Sequence, residues 1–525
     1  MRSVVLFSIW LLAAQAQTPP APVALVPDSR PPVASNCSAD GVVVNSITGE
    51  VVPRARVSLL SAGTLTTVLS DSGGRFRMEK TSCGFLQFLA RHVGFLEALS
   101  PQPKALNLES GEAAHDVRVM LTPQAVVTGV VSDDQGDPVQ GAQVAVYGSK
   151  VLQGKRAFQQ MGQGMSNDLG EYRVSGLAGG KYVVCAHLNQ GVPPMEVTSG
   201  ATTGDKCFPG PLDGGVVSTF ELQAGRDIRI NLPLPSIPSV HVRGVVTGLP
   251  KARGVALALS RRGAVGNAWN RSTPVRPDGR FDIAGVTPGS YLLSTDYWED
   301  NRRYTARIPL EVGGGDIDGI TVQLTEGFTI QGVVRVESKD GVVPPRNQFT
   351  VSLRSSEPIA GGGRMVWGAD GTTFTLSDLT PGSYRLESFS NSAFFIKRAT
   401  FNGRDISRED VAITQPSGVV ELVLSDEGGT VEVQLEDRDG KPAVGWAMLV
   451  EEGRTPRTSR SDAKGHVRFP SIAPGNYMIY AWDDMAQVEF ANPEWMRRNA
   501  EGQKLAVEAG QTARVKLVQK QVAAQ

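Results

Sequence analysis

The sequence predicts an all-β protein built as a tandem array of about five Greek-key β-sandwich domains, with one short helix near the C-terminus. Three observations predict it. A β-branched opening strand, a polar turn and a second apolar alternation recur about five times along 525 residues. Turn signals return about every 8 to 12 residues with almost no helical periodicity. Finally, 58 glycines and 33 prolines supply many chain reversals while staying below low-complexity levels. At roughly 100 to 200 residues per domain, one core for the whole chain is excluded.

The opening strands read Gly41-Val-Val-Val, Gly129-Val-Val-Ser, Gly244-Val-Val-Thr, Gly332-Val-Val-Arg and Thr430-Val-Glu-Val. Turns with Gly follow in four of them, as in Asp134-Gln-Gly-Asp-Pro138 and Arg438-Asp-Gly-Lys-Pro442, where glycine supplies positive φ and proline a fixed φ. The third copy departs, with Leu249-Pro-Lys-Ala-Arg-Gly254. A second signature closes each unit. An Asp-bearing hairpin turn is followed by an aromatic, then by a Pro-Gly turn into a strand that carries Tyr, as in Asp278-Gly-Arg-Phe281 and Pro288-Gly-Ser-Tyr291. From turn glycine to tyrosine the spacing is 12, 12, 13 and 12 residues for Gly170–Tyr182, Gly279–Tyr291, Gly371–Tyr384 and Gly465–Tyr477. These tyrosines are expected in the core, each hydroxyl satisfied at a corner.

The repeat phase places sandwiches at 36–122, 123–234, 235–326, 327–427 and 428–520, strung as a rod or bent string of beads, with Leu232–Pro238 the stiffest linker. Pro493 to Ala500 reads as the helix, capped by Asn492 with Pro493 at its first position. Residues 1–16 read as a signal peptide, from Arg2, the apolar stretch Val4 to Ala14 and the small-x-small site Ala14-Gln15-Ala16. A Pro-rich linker, 17–35, follows. Elsewhere no run of 18 or more apolar residues could span a bilayer. The expected location is therefore the periplasm or the cell exterior.

The Gly-Val-Val opening, the second strand Gly136-Asp-Pro-Val-Gln-Gly-Ala-Gln-Val144, the Asp-x-x-Gly-x-Tyr/Phe hairpin and the Leu-x-Pro-Gly-x-Tyr exit resemble carboxypeptidase-regulatory-like domains of exported bacterial proteins. That family is transthyretin-like, with a prealbumin- or Ig-like sandwich also classed with carbohydrate-binding-like and Cna protein B-type folds. The resemblance covers nearly all of the chain beyond residue 35 and implies a fold more than a chemistry. It implies attachment to peptidases, outer-membrane transporters or adhesins as the family's setting.

Reactive constellations are not found. Balanced charge, 52 Lys plus Arg against 53 Asp plus Glu, excludes a bulk field for nucleic acid. No opening strand carries the Lys that an internal isopeptide needs. Ser461-Asp-Ala-Lys464 matches Ser-x-x-Lys but sits in a hairpin turn without companion motifs. The five histidines, His92, His115, His187, His241 and His466, are dispersed, and the doubly acidic loop Gly313 to Asp318 reads as a plain turn rather than a calcium site. No cofactor or metal is expected, and the chain is read as not an enzyme. Cys37, Cys83, Cys185 and Cys207 allow three pairings; separate domains in an oxidising compartment favour 37 with 83 and 185 with 207, against free thiols or metal ligation.

Aromatics next to carboxylates remain as candidate ligand-binding residues: Tyr297, Trp298, Glu299 and Asp300 in the third sandwich, Trp482, Asp483 and Asp484 in the fifth, with Trp495 completing a platform. Rings stack on apolar sugar faces while carboxylates accept hydroxyl protons. The weightier competing account is that these rings cap the core or pack between domains. The partner expected is a polysaccharide or an exported protein. The leading reading is a spacer and recognition protein; the alternative is an accessory subunit of an exported peptidase, hydrolase or transporter.

Overall fold

The computed structural model describes residues 37–522 apart from 62–63, 97, 100–105, 189–200, 213–216, 249–253, 263–269, 301, 339–347, 356–362 and 391–392. The expected signal peptide, 1–16, and the expected linker, 17–35, lie outside the described residues. Two compact units are present, Met1–Pro123 and Gln124–Gln525.

One topology recurs. Each opening strand pairs antiparallel with the strand that follows the Asp-bearing turn and parallel with a strand at the end of its repeat. In the first copy Cys37–Asn45 lies between Arg75–Thr81 and Ala113–Leu121. In the fifth, Gly429–Glu436 lies between His466–Ile472 and Thr512–Val518. A second sheet is centred on the Tyr-bearing strand and its partner: Trp446–Val450 pairs with Arg457–Arg460 on one side and Gly475–Trp482 on the other. In the fourth copy the two sheets join into one of nine strands, because Gly363–Trp367 pairs with Thr373–Leu379 as well as with Phe349–Ser355. Strict alternation sets the buried face: in Gly429–Glu436, Val431, Val433 and Leu435 are buried between less buried polar neighbours. Among the described residues each repeat has a main apolar core between its sheets, containing Val43, Val127, Val242, Ile330 and Val431 in turn, and the second and fifth each add a smaller cluster.

The repeated motifs account for local structure. Asp71, Asp278, Asp370 and Asp462 accept backbone N–H bonds of the turns that follow them, as in Asp462 Oδ1 with Lys464 and His466, both at 2.8 Å. In the second copy Asn167 does this work rather than neighbouring Asp168. Tyr182, Tyr291, Tyr384 and Tyr477 each donate a hydroxyl proton to the carbonyl four residues earlier, at 2.9, 2.9, 2.6 and 2.7 Å. The expected corner is present four times. Cys37 is bonded to Cys83 and Cys185 to Cys207. The helix is Pro493–Asn499, with Asn492 Oδ1 accepting from Glu494 and Trp495. No helix of the described residues is long and apolar enough to cross a membrane.

Within Gln124–Gln525 the expected string of beads is corrected. The hairpin Ala142–Leu152/Lys155–Met165 of the second sandwich turns through Gln153 and Gly154, both at positive φ as a two-residue type I′ reversal requires. At that turn it meets the fifth sandwich: Ala491 N–H donates to Gly154 O at 2.9 Å and Arg156 Nε lies 2.6 Å from Glu489 Oε1. It also meets the fourth, where Arg354 donates to Gln153 Oε1. Contacts between domains distant in sequence cannot be read from a repeat period, which encodes only what each copy does by itself.

Candidate functional site

In the third sandwich the candidate residues end the hairpin Gly289–Glu299/Arg302–Val312, with Tyr297 opposite Tyr304, Trp298 opposite Arg303 and Glu299 opposite Arg302. Asp300 stands in the turn at φ 48°. Alternation separates the two rings. Tyr297 packs inward, 6.4 Å from the Tyr304 ring, against the third core. Trp298 faces outward and is 51% exposed. Burial, followed by the charges of Glu299 and Asp300, holds the Tyr297 phenol above its usual range. The hairpin is anchored by Arg303, which is 6% exposed, bonds Asp296 through Nε at 2.9 Å and donates from Nη1 to Asp378 O of the fourth sandwich at 3.1 Å. The bond to Asp296 raises the guanidinium's proton affinity, so this charge stays fixed.

The fifth-sandwich candidates are corrected. Trp482 is 1% exposed, stacked on Tyr480 at 5.5 Å, and packed with Met448, Val488 and Trp495 in a second apolar cluster. Trp495, on the helix, is itself buried. Neither indole can offer a face to a sugar, because the chain has filled the platform with its own side chains. Asp483 and Asp484 serve the backbone: Asp483 Oδ1 accepts from Asp484 N at 2.8 Å and Val522 N at 3.2 Å, and Asp484 Oδ1 from Ala486 N at 3.0 Å. The structure does not bring these residues together with Tyr297–Asp300.

Other polar groups are likewise engaged. In the loop after Val312, Asp316 and Asp318 hold the Arg243 guanidinium at 2.9 and 3.2 Å, so the positive charge such a loop could attract is supplied by the protein. Asp316 also accepts from His241 N, which together with Arg243 keeps its carboxyl below the usual range. His115 bonds Asp40 at 2.6 Å and His241 bonds Asp282 at 2.7 Å, each inside its own sandwich.

Sequence reasoning missed the contact of Arg156 with Glu489. Glu489 is 7% exposed and is also bonded by Asn492 Nδ2 at 3.1 Å, so the helix cap and the inter-domain ion pair share one network. The two partners stand 333 residues apart. The acidic residue within the apolar segment Val488-Glu-Phe490 was the available signal.

No protein-family model matches the chain. No curated protein matches it either. Among solved structures the chain is similar to the TIE protein of Bacillus anthracis, at 10% identity over 76% of this chain and 75% of that one, TM-score 0.16. It is also similar to a streptococcal ancillary pilin, at 12% identity over 53% of this chain and 98% of that one, TM-score 0.17. The minor pilin GBS52 of Streptococcus agalactiae is similar at 13% identity over 39% and 97%, TM-score 0.21. At scores this low the likenesses carry no weight for the role of this chain; its sandwich architecture rests on its own strand pairing.

Proposed function

We propose that this chain is a non-catalytic exported protein whose tandem sandwiches serve as spacer and recognition units, presenting the hairpin end Tyr297–Asp300 to a carbohydrate. The carrying observation is Trp298, half exposed beside Glu299 and Asp300 on a hairpin fixed by the buried Arg303. A ring held on a rigid support loses little freedom on binding, and adjacent carboxylates suit sugar hydroxyls. Two disulfides support an oxidising compartment, periplasmic or extracellular. Engagement of the recurrent Asp and Tyr side chains in turns and corners supports a structural rather than a chemical role.

The second reading, an accessory subunit of an exported peptidase, hydrolase or transporter, draws on the same exposed indole, since tryptophan is a frequent anchor of protein interfaces. Polysaccharide pull-down of the parent and of Trp298→Ala tests the first reading: retention of the parent with loss in the variant is expected, and equal behaviour overturns it. Stoichiometric co-purification of another exported protein, lost in the same variant, would favour the second.

A further inference from the structure

The strand Thr64–Leu69 stands at the edge of the second sheet of the first sandwich, and it differs from its counterparts in the other four copies. An open sheet edge is a template for another strand, which proteins blunt with charge, proline or a covering element. Each counterpart has such a device. In the second sandwich Lys155–Met165 opens on Lys155 and Arg156, and Arg156 is engaged by Glu489 of the fifth. In the third, Asn270–Pro274 carries Arg271 and Pro274. In the fourth, Gly363–Trp367 is no edge, since it pairs on both sides. In the fifth, Arg457–Arg460 has an arginine at each end. Thr64-Leu-Thr-Thr-Val-Leu69 has no charge, proline or glycine, and among the described residues it pairs with Arg56–Ser61 alone.

The register decides what this edge offers. Val57 faces Val68 and Leu59 faces Thr66, and one step beyond the strand Ser70 N–H donates to Ala55 O at 2.9 Å. Alternation along an antiparallel ladder then makes Thr66 and Val68 the bonded positions, so Leu65, Thr67 and Leu69 turn their N–H and C=O groups away from the sheet. The side chains of these three residues are exposed, as is Leu60, which stands opposite Leu65. Read outward, the free positions form the palindrome Leu-x-Thr-x-Leu.

We propose that Thr64–Leu69 pairs antiparallel with the same strand of a second copy of this chain, about a two-fold axis at Thr67. That axis sets Leu65 opposite Leu69 of the second copy on either side of the centre, and Thr67 opposite itself. Each flank then carries Leu60, Leu65 and Leu69 of the second copy in one row, which closes water away from three exposed leucines. An isologous contact sets the residue on its axis against its own copy, where any charge would meet its like; the palindrome places a neutral hydroxyl there. A strand of unrelated sequence would gain the backbone bonds without the leucine register, which is why a second copy fits this edge best.

Sedimentation velocity of the full chain tests the pairing. The parent is expected to dimerise at concentrations up to about 100 µM, a range that includes micromolar pairs. Thr67→Lys and Thr67→Glu, each alone, should weaken the dimer at least about tenfold because like charges then meet on the axis, and an equimolar mixture of the two should dimerise again. Regained association in the mixture separates a charge effect from a folding defect, which no mixing repairs. Hydrogen exchange supplies a second readout: the amides of Leu65, Thr67 and Leu69 should be slow in the parent dimer and fast in either variant alone. A parent that stays monomeric, a dimer indifferent to charge at position 67, or a mixture that stays apart would overturn the proposal. Slow exchange of these three amides in a monomer would overturn it as well, by placing another segment of the same chain on the edge.

Discussion

Gly129, on the opening strand of the second sandwich, lies directly opposite Tyr172 on the antiparallel strand that follows the turn at Asn167, and the tyrosine occupies the space a side chain on Gly129 would need. A Cβ at Gly129 would stand 2.8 Å from the Tyr172 ring and 1.7 Å from Ile230 O, the oxygen to which Tyr172 Oη donates at 2.7 Å. The same opposition recurs as Gly41 with Phe76, Gly244 with Phe281 and Gly332 with Phe374. In the fifth sandwich both members change together, to Val433 opposite Val467. The Gly-Val-Val signature is therefore half of a cross-strand pair whose other half is the aromatic after the Asp turn.

This pairing separates two kinds of glycine. At Gly332 the obstacle is the Phe374 ring, 2.1 Å from where an added methyl would stand, whereas at Gly129 a backbone carbonyl also blocks. Gly332→Ala should destabilise the fourth sandwich by about 2–4 kcal/mol, and much less in a Phe374→Val background. Gly129→Ala should remain costly in a Tyr172→Val background, because Ile230 is also held beside the opening strand by its own N–H, which donates to Thr128 O at 2.8 Å. Urea denaturation followed by hydrogen exchange in each sandwich, read as a double-mutant cycle, checks both; additive costs at Gly332 would refute the pairing.

Tyr384 is the most enclosed of the four corner tyrosines, fully buried, with its hydroxyl donating to Thr380 O at 2.6 Å and accepting from Thr380 N at 3.0 Å. Tyr384→Phe leaves both backbone groups of Thr380 without that partner in a dry site. A loss of about 1–3 kcal/mol is expected, visible as earlier exchange of fourth-sandwich amides. An unchanged exchange pattern would mean that the corner contributes shape alone.

Arg156 and Glu489 should behave as a buried pair. Removing the guanidinium in Arg156→Ala leaves a carboxylate that is 7% exposed facing only Asn492 among its bonded neighbours, at a cost of about 3–5 kcal/mol to the contact between the second and fifth sandwiches. The double variant Arg156→Met/Glu489→Leu should recover most of that loss. The amide of Ala491, bonded to Gly154 O, reports directly: its hydrogen exchange should accelerate in the single variant and slow again in the double one. Exchange of Ala491 insensitive to Arg156 would contradict the ion pair's role.

How much of this was legible follows from where each signal resides. Turn and corner residues act within a few positions of themselves, so Asp462, Tyr384 and Asn492 could be read with their roles from spacing alone. The disulfides, Cys37 with Cys83 and Cys185 with Cys207, followed from each pair sharing one repeat. Trp482 and Trp495 misled because a ring beside carboxylates looks alike whether it faces solvent or a neighbouring element. What buries them, Met448, Val488 and the segment that receives the second sandwich's hairpin, is fixed by tertiary packing without a local pattern.

Acidity gives a last expectation. Asp205, next to Cys207 in the second sandwich, is pushed up to about 7 by burial, with Arg271 and Arg261 of the third sandwich pulling the other way. Burial also lifts the neighbouring phenol of Tyr147, to about 12, so it stays neutral throughout. Between the ordinary carboxylate range near pH 4 and pH 7 the folded chain thus holds a proton on Asp205 that the unfolded chain has released. Its contribution is complete below about pH 4 and is lost as pH rises through about 7, by of order a few kcal/mol. His187, pulled down by burial and then by Arg271, works in the opposite sense, favouring the fold as pH rises through its own range. Asp205→Asn isolates the carboxyl: thermal unfolding measured from pH 5 to pH 8 should show the parent losing stability relative to the variant as pH rises. Parallel curves for the two proteins would mean that Asp205 titrates as an ordinary surface acid.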